Sequence, residues 1–134
     1  MKGHKGQSVV EFALVLPLFL FIMFGIIYTG MMFHDYATLS NIARACTREA
    51  AVSANPSFPD IVSHYEPKLE GLMTRFYKKA ETNAITITQD GNVIETTINM
   101  KLNVNGFLID MIVPKSFGVR YYMEKEPSFT DTDD

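Results

Sequence analysis

The stretch FALVLPLFLFIMFGIIYTGMMF, residues 12–33, decides how this chain is organised, because it carries no charged side chain. A helix over it would be about 33 Å long, close to the roughly 30 Å hydrocarbon core of a bilayer. A buried core helix would show a polar face, yet only Tyr28 and Thr29 interrupt the apolar surface. A cleaved secretory signal would be shorter and end in small residues, unlike MMFHDY. We therefore predict a transmembrane helix over residues 7–33.

Charge sets the expected orientation and excludes some functions. Lys2 and Lys5 precede the span and the next basic residue is Arg44, so the positive-inside rule places the N-terminus in the cytoplasm. The remainder, residues 34–134, has 10 basic and 14 acidic side chains. It has no positive excess to neutralise phosphates, which argues against a nucleic-acid partner. A chain of 134 residues has room for one ordinary domain, which excludes a multidomain enzyme.

Helical periodicity continues beyond the span. An apolar stripe recurs at steps of three and four through Tyr36, Leu39, Ala43, Cys46 and Ala50. No Gly or Pro separates it from the span, so we predict one helix from about residue 8 to about 54. The stripe's small residues allow another element to approach closely. Cys46, the only cysteine, fits there as a small apolar side chain; a reactive thiol or an interchain disulfide is the alternative.

A second amphipathic helix is predicted after the prolines of ANPSFP. Its apolar positions are Ile61, Tyr65, Leu69, Leu72 and Phe76. Ser57 is the expected N-cap, because Pro59 and Asp60 suit the first turn. Pro67 is expected to kink this helix or to divide it in two.

From residue 84 the apolar period changes to two, which predicts strands. The runs AITITQ and NVIETTINMKLNV flank Asp90 and Gly91, a strong hairpin signal, and FGVRYYME predicts a third strand. We therefore expect an α+β fold with an antiparallel sheet of three or more strands. The outer stripe of the first helix should cover the apolar sheet face, which carries Ile94, Ile98, Met100 and Leu102.

Two segments lie outside this pattern. FLIDMIV, residues 107–113, is too apolar for an ordinary loop: it is either a lid over the sheet edge or a contact with the membrane surface or a neighbouring subunit. An acidic tail over residues 127–134 is expected to be disordered. The exported α+β domain is accordingly predicted over residues 34–126.

The sequence offers no catalytic or metal-binding pattern. His4, His34 and His64 are thirty residues apart, and Cys46 has no cysteine partner for a zinc site. Phosphate-binding, nucleophile-elbow and zinc-protease motifs are missing, and His64 with Glu66 is most simply a surface pair. We therefore expect no cofactor, no metal and no active site.

Glu11 stands at the start of the apolar run. A carboxylate at membrane depth costs roughly 2.5 to 3.5 kcal/mol on insertion scales, so it usually has a partner or a function. The simpler interpretation is that Glu11 only marks the membrane interface.

The residues around Glu11 resemble a known family. A basic leader ending in Lys5-Gly6, followed by GQSVVEFALVLPLF, resembles type IV prepilins. More narrowly, it resembles the TadE-like minor pilins, or pseudopilins, of tight-adherence (Tad, or Flp) pilus systems. Those proteins share G-x-x-x-x-E-F-A and, after the span, A-R-x-x-x-R-x-A. The second pattern is matched here by Ala43, Arg44, Arg48 and Ala50.

The resemblance implies a non-enzymatic role. Residues 1–6 would be a leader that prepilin peptidase removes between Gly6 and Gln7. Glu11 and Phe12 would serve assembly, since the new amine of Gln7 could pair with Glu11 of a neighbouring subunit. The implied partners are other minor pilins, the major pilin, the inner-membrane assembly platform and membrane lipid. The implied location is the bacterial inner membrane, single-pass with the domain outside, or the pilus at the cell surface.

Two residues within the span predict where the membrane helix bends. Pro17 cannot donate to the carbonyl of Ala13, and Gly25 has no side chain, so both positions allow bending when the helix leaves lipid for a packed bundle.

Two other functions remain open at this point. The chain could be a signal-anchored membrane protein whose exported domain binds a ligand or partner unrelated to pili. It could also be a small membrane-tethered hydrolase, although the sequence lacks the catalytic residues that this would need.

Overall fold

The computed structural model describes the chain over residues 4–74, 76–79, 84–104, 106, 109, 111 and 113–127. Its elements are two helices followed by four strands, so the α+β expectation is confirmed. The tail predicted to be disordered lies outside the described residues from residue 128 onward.

Helix α1, His4–Val52, is the dominant element. It contains 49 residues, which corresponds to a length of about 73 Å. The expectation of one continuous helix is confirmed, with the start four residues earlier than predicted. The helix ends shortly before Pro56, whose ring restricts the preceding residue to extended backbone.

Helix α2, Phe58–Leu72, follows after a short loop. Ser57 is the N-cap residue, as predicted, although its side chain makes no capping hydrogen bond. Pro67 lies inside the helix without ending it. Of the two outcomes expected at Pro67, division of the helix is wrong, and a kink stays a prediction. One missing backbone donor does not outweigh the packing of the apolar face, where Ile61 and Leu69 are buried.

The sheet is antiparallel and has four strands: β1 (Tyr77–Lys79), β2 (Ile85–Asp90), β3 (Val93–Leu102) and β4 (Ser116–Glu124). Strand β3 is central. One side pairs with β4 along its length, and the other pairs with β2 and then with β1, which lie end to end. The predicted hairpin is confirmed, with Gly91 at a φ of 59° in its turn. This left-handed conformation favours glycine.

The outer half of α1 covers the apolar face of the sheet, as expected. Leu39, Ala43, Cys46 and Ala50 have no exposed surface, and they share one core with the inward side chains of β3. Tyr36 departs from the expectation, because it is 49% exposed, and its ring is tilted against that of Phe117 with 6.4 Å between the centroids.

The apolar segment 107–113 is described only in part. Ile109 packs against the core and Val113 is buried, whereas Met111 is 69% exposed. The backbone N–H of Val113 donates to the carbonyl of Ile109 at 2.9 Å, which is a helical turn. These contacts support the interpretation of a lid, with Met111 left on the outside.

The domain has two ends along α1. At the near end, beside the membrane segment, Tyr28 stacks on Phe76 at 5.2 Å and Tyr36 approaches Phe117. At the far end, the backbone N–H of Glu126 donates to the carbonyl of Ala51 at 3.3 Å. The domain therefore reaches down to Tyr28, inside the charge-free stretch.

Thr96 carries an unpaired hydroxyl in the core. Its Oγ1 has no hydrogen-bond partner among the described residues, and the side chain is fully buried. A buried hydroxyl without a partner costs about 1 to 3 kcal/mol. Thr96→Val keeps the shape and removes that cost, so we expect the free energy of unfolding to rise by about 1 kcal/mol in denaturant titration. Thr88→Val, at an exposed position on the neighbouring strand β2, is the control and should change it little.

Candidate assembly interface along the first helix

The membrane-facing end of α1 is free of contacts with the domain. Large apolar side chains from Val9 to Ile27 are exposed along this part of the helix. Near its start, the side-chain amide of Gln7 donates to Oε1 of Glu11 at 3.3 Å. Gln7 and Glu11 are one helical turn apart and share a face, so the two residues on which the expected cut and assembly depend lie side by side.

Pro17 and Gly25 lie within an uninterrupted helix. The hydroxyl of Thr29 donates to the carbonyl of Gly25 at 2.8 Å. A Cβ built on Gly25 would meet nothing within 4 Å. No described residue therefore requires a glycine at this position, which leaves it open to a neighbouring helix. Bending at Pro17 and Gly25 remains a prediction.

The A-R-x-x-x-R-x-A segment has a structural explanation on the domain side. Ala43 and Ala50 are two turns apart and both face the sheet with no exposed surface. Arg44 is exposed and lies over the ring of Tyr121 on β4, 5.5 Å from its centroid, within cation–π range. Arg48, one turn further, is also exposed. The small alanine side chains therefore allow the sheet to pack closely against the helix, and Arg44 covers the sheet at strand β4.

The first helix therefore has two different parts. The first part is an exposed apolar helix with an acidic residue near its start, and the second part packs a face of small residues against the sheet. Residues 6–48 match the family model described as TadE-like protein. The match confirms the resemblance: it begins at Gly6, includes Glu11 and ends at Arg48. Neither the curated proteins nor the solved structures gave a match.

The apolar helix and the family match together bear on the cellular setting. The helix from Gln7 is long and apolar enough to cross a membrane. Together with the family match, it fits a single-pass, membrane-anchored pilin. TadE-like pilins are structural rather than enzymatic proteins, and they interact with other pilus components.

Cys46 lies outside the apolar span, in the core that α1 shares with α2 and the sheet. It is fully buried, and burial, reinforced by the nearby Glu49, raises the pKa of its thiol to about 12. The thiol is therefore neutral at physiological pH, and a neutral thiol is a poor nucleophile. These observations support the interpretation of Cys46 as a small apolar side chain.

Ala43 gives the closest test of the packing between α1 and the sheet. Ala43→Phe adds a ring where no surface is exposed, and overpacking of this kind costs about 1 to 3 kcal/mol. We expect the free energy of unfolding of the domain to fall by that amount in thermal or denaturant unfolding. Ala37→Phe, an exposed position on the same helix, is the matched control. Equal stability of the two variants would contradict the packing.

Asp35 is a site residue that the sequence analysis missed. It is fully buried at the near end of the domain. Its Oδ1 accepts from the backbone N–H of Thr74 at 2.8 Å, and its Oδ2 accepts from the hydroxyl of Thr74 at 2.6 Å. The signal was present: Met32, Asp35 and Leu39 follow helical steps of three and four, which places a carboxylate on the buried stripe.

Asp35 ties the connection between α2 and β1 to α1. Thr74 follows the end of α2 and leads into β1, so the two hydrogen bonds fix this connection to α1. His34 is 3.4 Å from the same carboxylate but is 60% exposed. Such charge-assisted bonds to a backbone donor suit a structural bracket rather than catalysis.

The described residues contain no group of three or more His, Cys, Asp or Glu that could hold a metal ion. One cavity, of about 230 Å3, lies between the end of α2 and strands β1 and β3. Its side chains include Lys79, which is paired with Glu70 at 3.0 Å. The hydroxyls in its lining already serve the fold: that of Thr74 donates to Asp35, and that of Tyr77 donates to the carbonyl of Pro114 at 3.1 Å.

Proposed function

We propose that this protein is a minor pilin or pseudopilin that takes part in assembly of a Tad (Flp) type IV pilus. The observation that carries the proposal is the TadE-like segment, residues 6–48, which lies on a single helix. The apolar half of this helix is exposed, and its other half packs in a small α+β domain. The protein acts by packing, as a substrate of prepilin peptidase and a partner of other pilins, rather than as an enzyme.

The proposed cleavage lies between Gly6 and Gln7. It removes the basic leader, residues 1–6, and leaves a new amine on Gln7. Support comes from the family match, which begins at Gly6, and from the proximity of Gln7 to Glu11. An amine and a carboxylate in a low-dielectric environment are strongly favoured over either one unpaired. The cleavage therefore supplies a charge partner for Glu11, on the same chain or on a neighbour.

The mature chain is proposed to span the inner membrane once, with its N-terminus in the cytoplasm and residues 34–126 outside. Its proposed partners are the other minor pilins, the major pilin and the inner-membrane assembly platform. Pro17 and Gly25 allow the helix to bend as it moves from lipid into a helical bundle.

N-terminal sequencing of the mature protein, expressed with and without prepilin peptidase, tests this function. A mature chain that begins at Gln7 only when the peptidase is present supports it. A chain that keeps residues 1–6 in both cases, while remaining in the membrane, would instead support a signal-anchored protein unrelated to pili.

Glu11→Leu tests the role of the acid in assembly. The change removes a costly charge, so membrane insertion should remain intact while association with partner pilins is impaired. We expect normal amounts of protein in the membrane fraction and fewer pili by electron microscopy. Glu11→Asp, which keeps the charge, is the control and should assemble better. Normal piliation of the Leu variant would return Glu11 to a marker of the membrane interface.

A further inference from the structure

An apolar groove opens at the near end of the domain, between α1 and the start of β4. Its volume is about 270 Å3. The residues that line it are Met32, Phe33, Tyr36, Pro114, Phe117 and Gly118. Phe33 is 70% exposed, the largest exposed fraction for an aromatic side chain in the described part of the chain. The groove is therefore an open apolar surface beside the membrane helix.

The position of this groove relative to a bilayer follows from the continuity of α1. If the hydrocarbon core begins after Glu11, about twenty residues of helix cross its roughly 30 Å and end near Met32. Met32 and Phe33 are the last two residues of the charge-free stretch, and both line the groove. The groove therefore lies at the boundary between the acyl chains and the headgroups.

Three lysines lie at the same end of the domain. Lys78 and Lys101 are direct cross-strand partners on β1 and β3, and Lys115 immediately precedes β4. Like charges directly opposite each other destabilise a sheet. All three side chains are exposed, and none forms an ion pair with another described residue. Among the described residues, an exported part that is acidic as a whole therefore has positive charge without an ion-pair partner at its membrane end.

A second open groove connects Lys101 with the apolar surface. It has a volume of about 390 Å3 and runs along the ends of β3 and β4. Its lining includes Lys101 and Ser116, and it shares Phe117 and Gly118 with the first groove. Apolar surface on one side and positive charge on the other match a phospholipid, which has acyl chains and an anionic phosphate.

We propose that the near end of the domain docks on the adjacent leaflet and binds an anionic phospholipid. Lys101 and Lys115 contact the phosphate, and Phe33 and Phe117 contact the upper part of the acyl chains. The proposal rests on the interpretation of α1 as a membrane anchor and goes beyond pilus assembly. It implies that the domain is held against the bilayer before assembly, and that release from lipid accompanies its extraction.

The chain itself allows a clean measurement, because it contains no tryptophan. Ser116→Trp places a fluorescent reporter, the near reporter, at the near end of β4 on its outer face. Tyr122→Trp places a second one, the far reporter, on the same face about 20 Å further along the strand. Full-length variants are reconstituted in nanodiscs of phosphatidylcholine with increasing phosphatidylglycerol, and acyl-chain-brominated lipid is used to quench the emission.

We expect bromolipid to quench the near reporter and not the far reporter, with quenching that increases with the fraction of phosphatidylglycerol. In the Ser116→Trp background, Lys101→Gln and Lys115→Gln should each lower the ratio of docked to undocked domain about fivefold at low salt. Lys125→Gln, at the far end, is the matched control and should leave it unchanged. Added salt should weaken docking. Thermal unfolding of each variant checks that the domain remains folded.

Equal quenching of the two reporters, or quenching that ignores phosphatidylglycerol, would overturn the proposal. So would an emission of the near reporter that responds to protein density in the bilayer rather than to lipid composition, since this would identify the surface as an interface between copies. A chain that keeps residues 1–6, which contradicts the proposed function, leaves this prediction intact. The two proposals therefore fail separately.

Discussion

A Gly6→Leu chain is expected to keep its first six residues in the presence of prepilin peptidase, and to form no pili. Two physical reasons point the same way. Leucine adds a large side chain next to the scissile bond, where the resemblance implies that a small residue is needed. It also favours helix by about 1 kcal/mol relative to glycine, and α1 already begins at His4, before the expected cut. Intact mass spectrometry of the membrane fraction measures the result.

Gly6→Ala separates the two reasons. Alanine is small but is the strongest helix former, so it fits a narrow protease cleft while it opposes unwinding of the first turn. Processing of the alanine variant at the normal rate would assign the requirement to side-chain size. Slow processing would assign it to helix unwinding. A leucine variant that still begins at Gln7 would show that the cut does not depend on residue 6.

The second large effect is expected for Asp35→Ala, which should lower the free energy of unfolding by about 2 to 4 kcal/mol. The change removes the carboxylate that accepts two hydrogen bonds from Thr74. The backbone N–H of Thr74 then loses this acceptor beside α1. Hydrogen bonds to a charged group are worth about 1.5 to 3 kcal/mol. Denaturant unfolding of the full chain in detergent, followed by near-ultraviolet circular dichroism, measures the loss.

Thr74→Val is the companion variant. It removes only the hydroxyl that donates to Oδ2 and keeps the backbone bond to Oδ1, so the loss should be about half as large. Asp60→Ala, at an exposed acid in the first turn of α2, controls for the removal of negative charge. If Asp35→Ala unfolds like the Asp60 variant, the bracket between α1 and β1 does not stabilise the domain.

Much of the fold could be predicted because its long elements have strong periods. The helix of α1 and the alternation in β3 each extend over many residues, so the face that packs inward is readable from the sequence. The contact of Ala43 and Ala50 with the sheet followed from matching one small-residue stripe to one apolar sheet face. The processing and assembly residues came from the family resemblance, and no property of an isolated chain tests them.

Other features depend on tertiary context. Strand β1 has three residues, Tyr77–Lys79, which is too short for a period, and it forms because β3 extends beyond β2 and offers an unpaired edge. Pro67 was given too much weight as a helix breaker. Asp35 was missed because a single acidic residue after an apolar span is expected to face solvent. In the fold, the connection at Thr74 packs over Asp35 and binds its carboxylate.

The unbroken helix between Tyr28 and Asp35 fixes an angular relation between the domain and the adjoining part of the membrane helix. Residues 28–35 lie in the charge-free stretch or directly after it, and side chains among them also pack in the domain. No linker therefore separates the two parts of the chain. One residue inserted before Tyr28 would rotate the domain by about 100° around the helix axis and move it by only about 1.5 Å. The rotation of the membrane helix about its own axis therefore determines which face the domain presents to its surroundings.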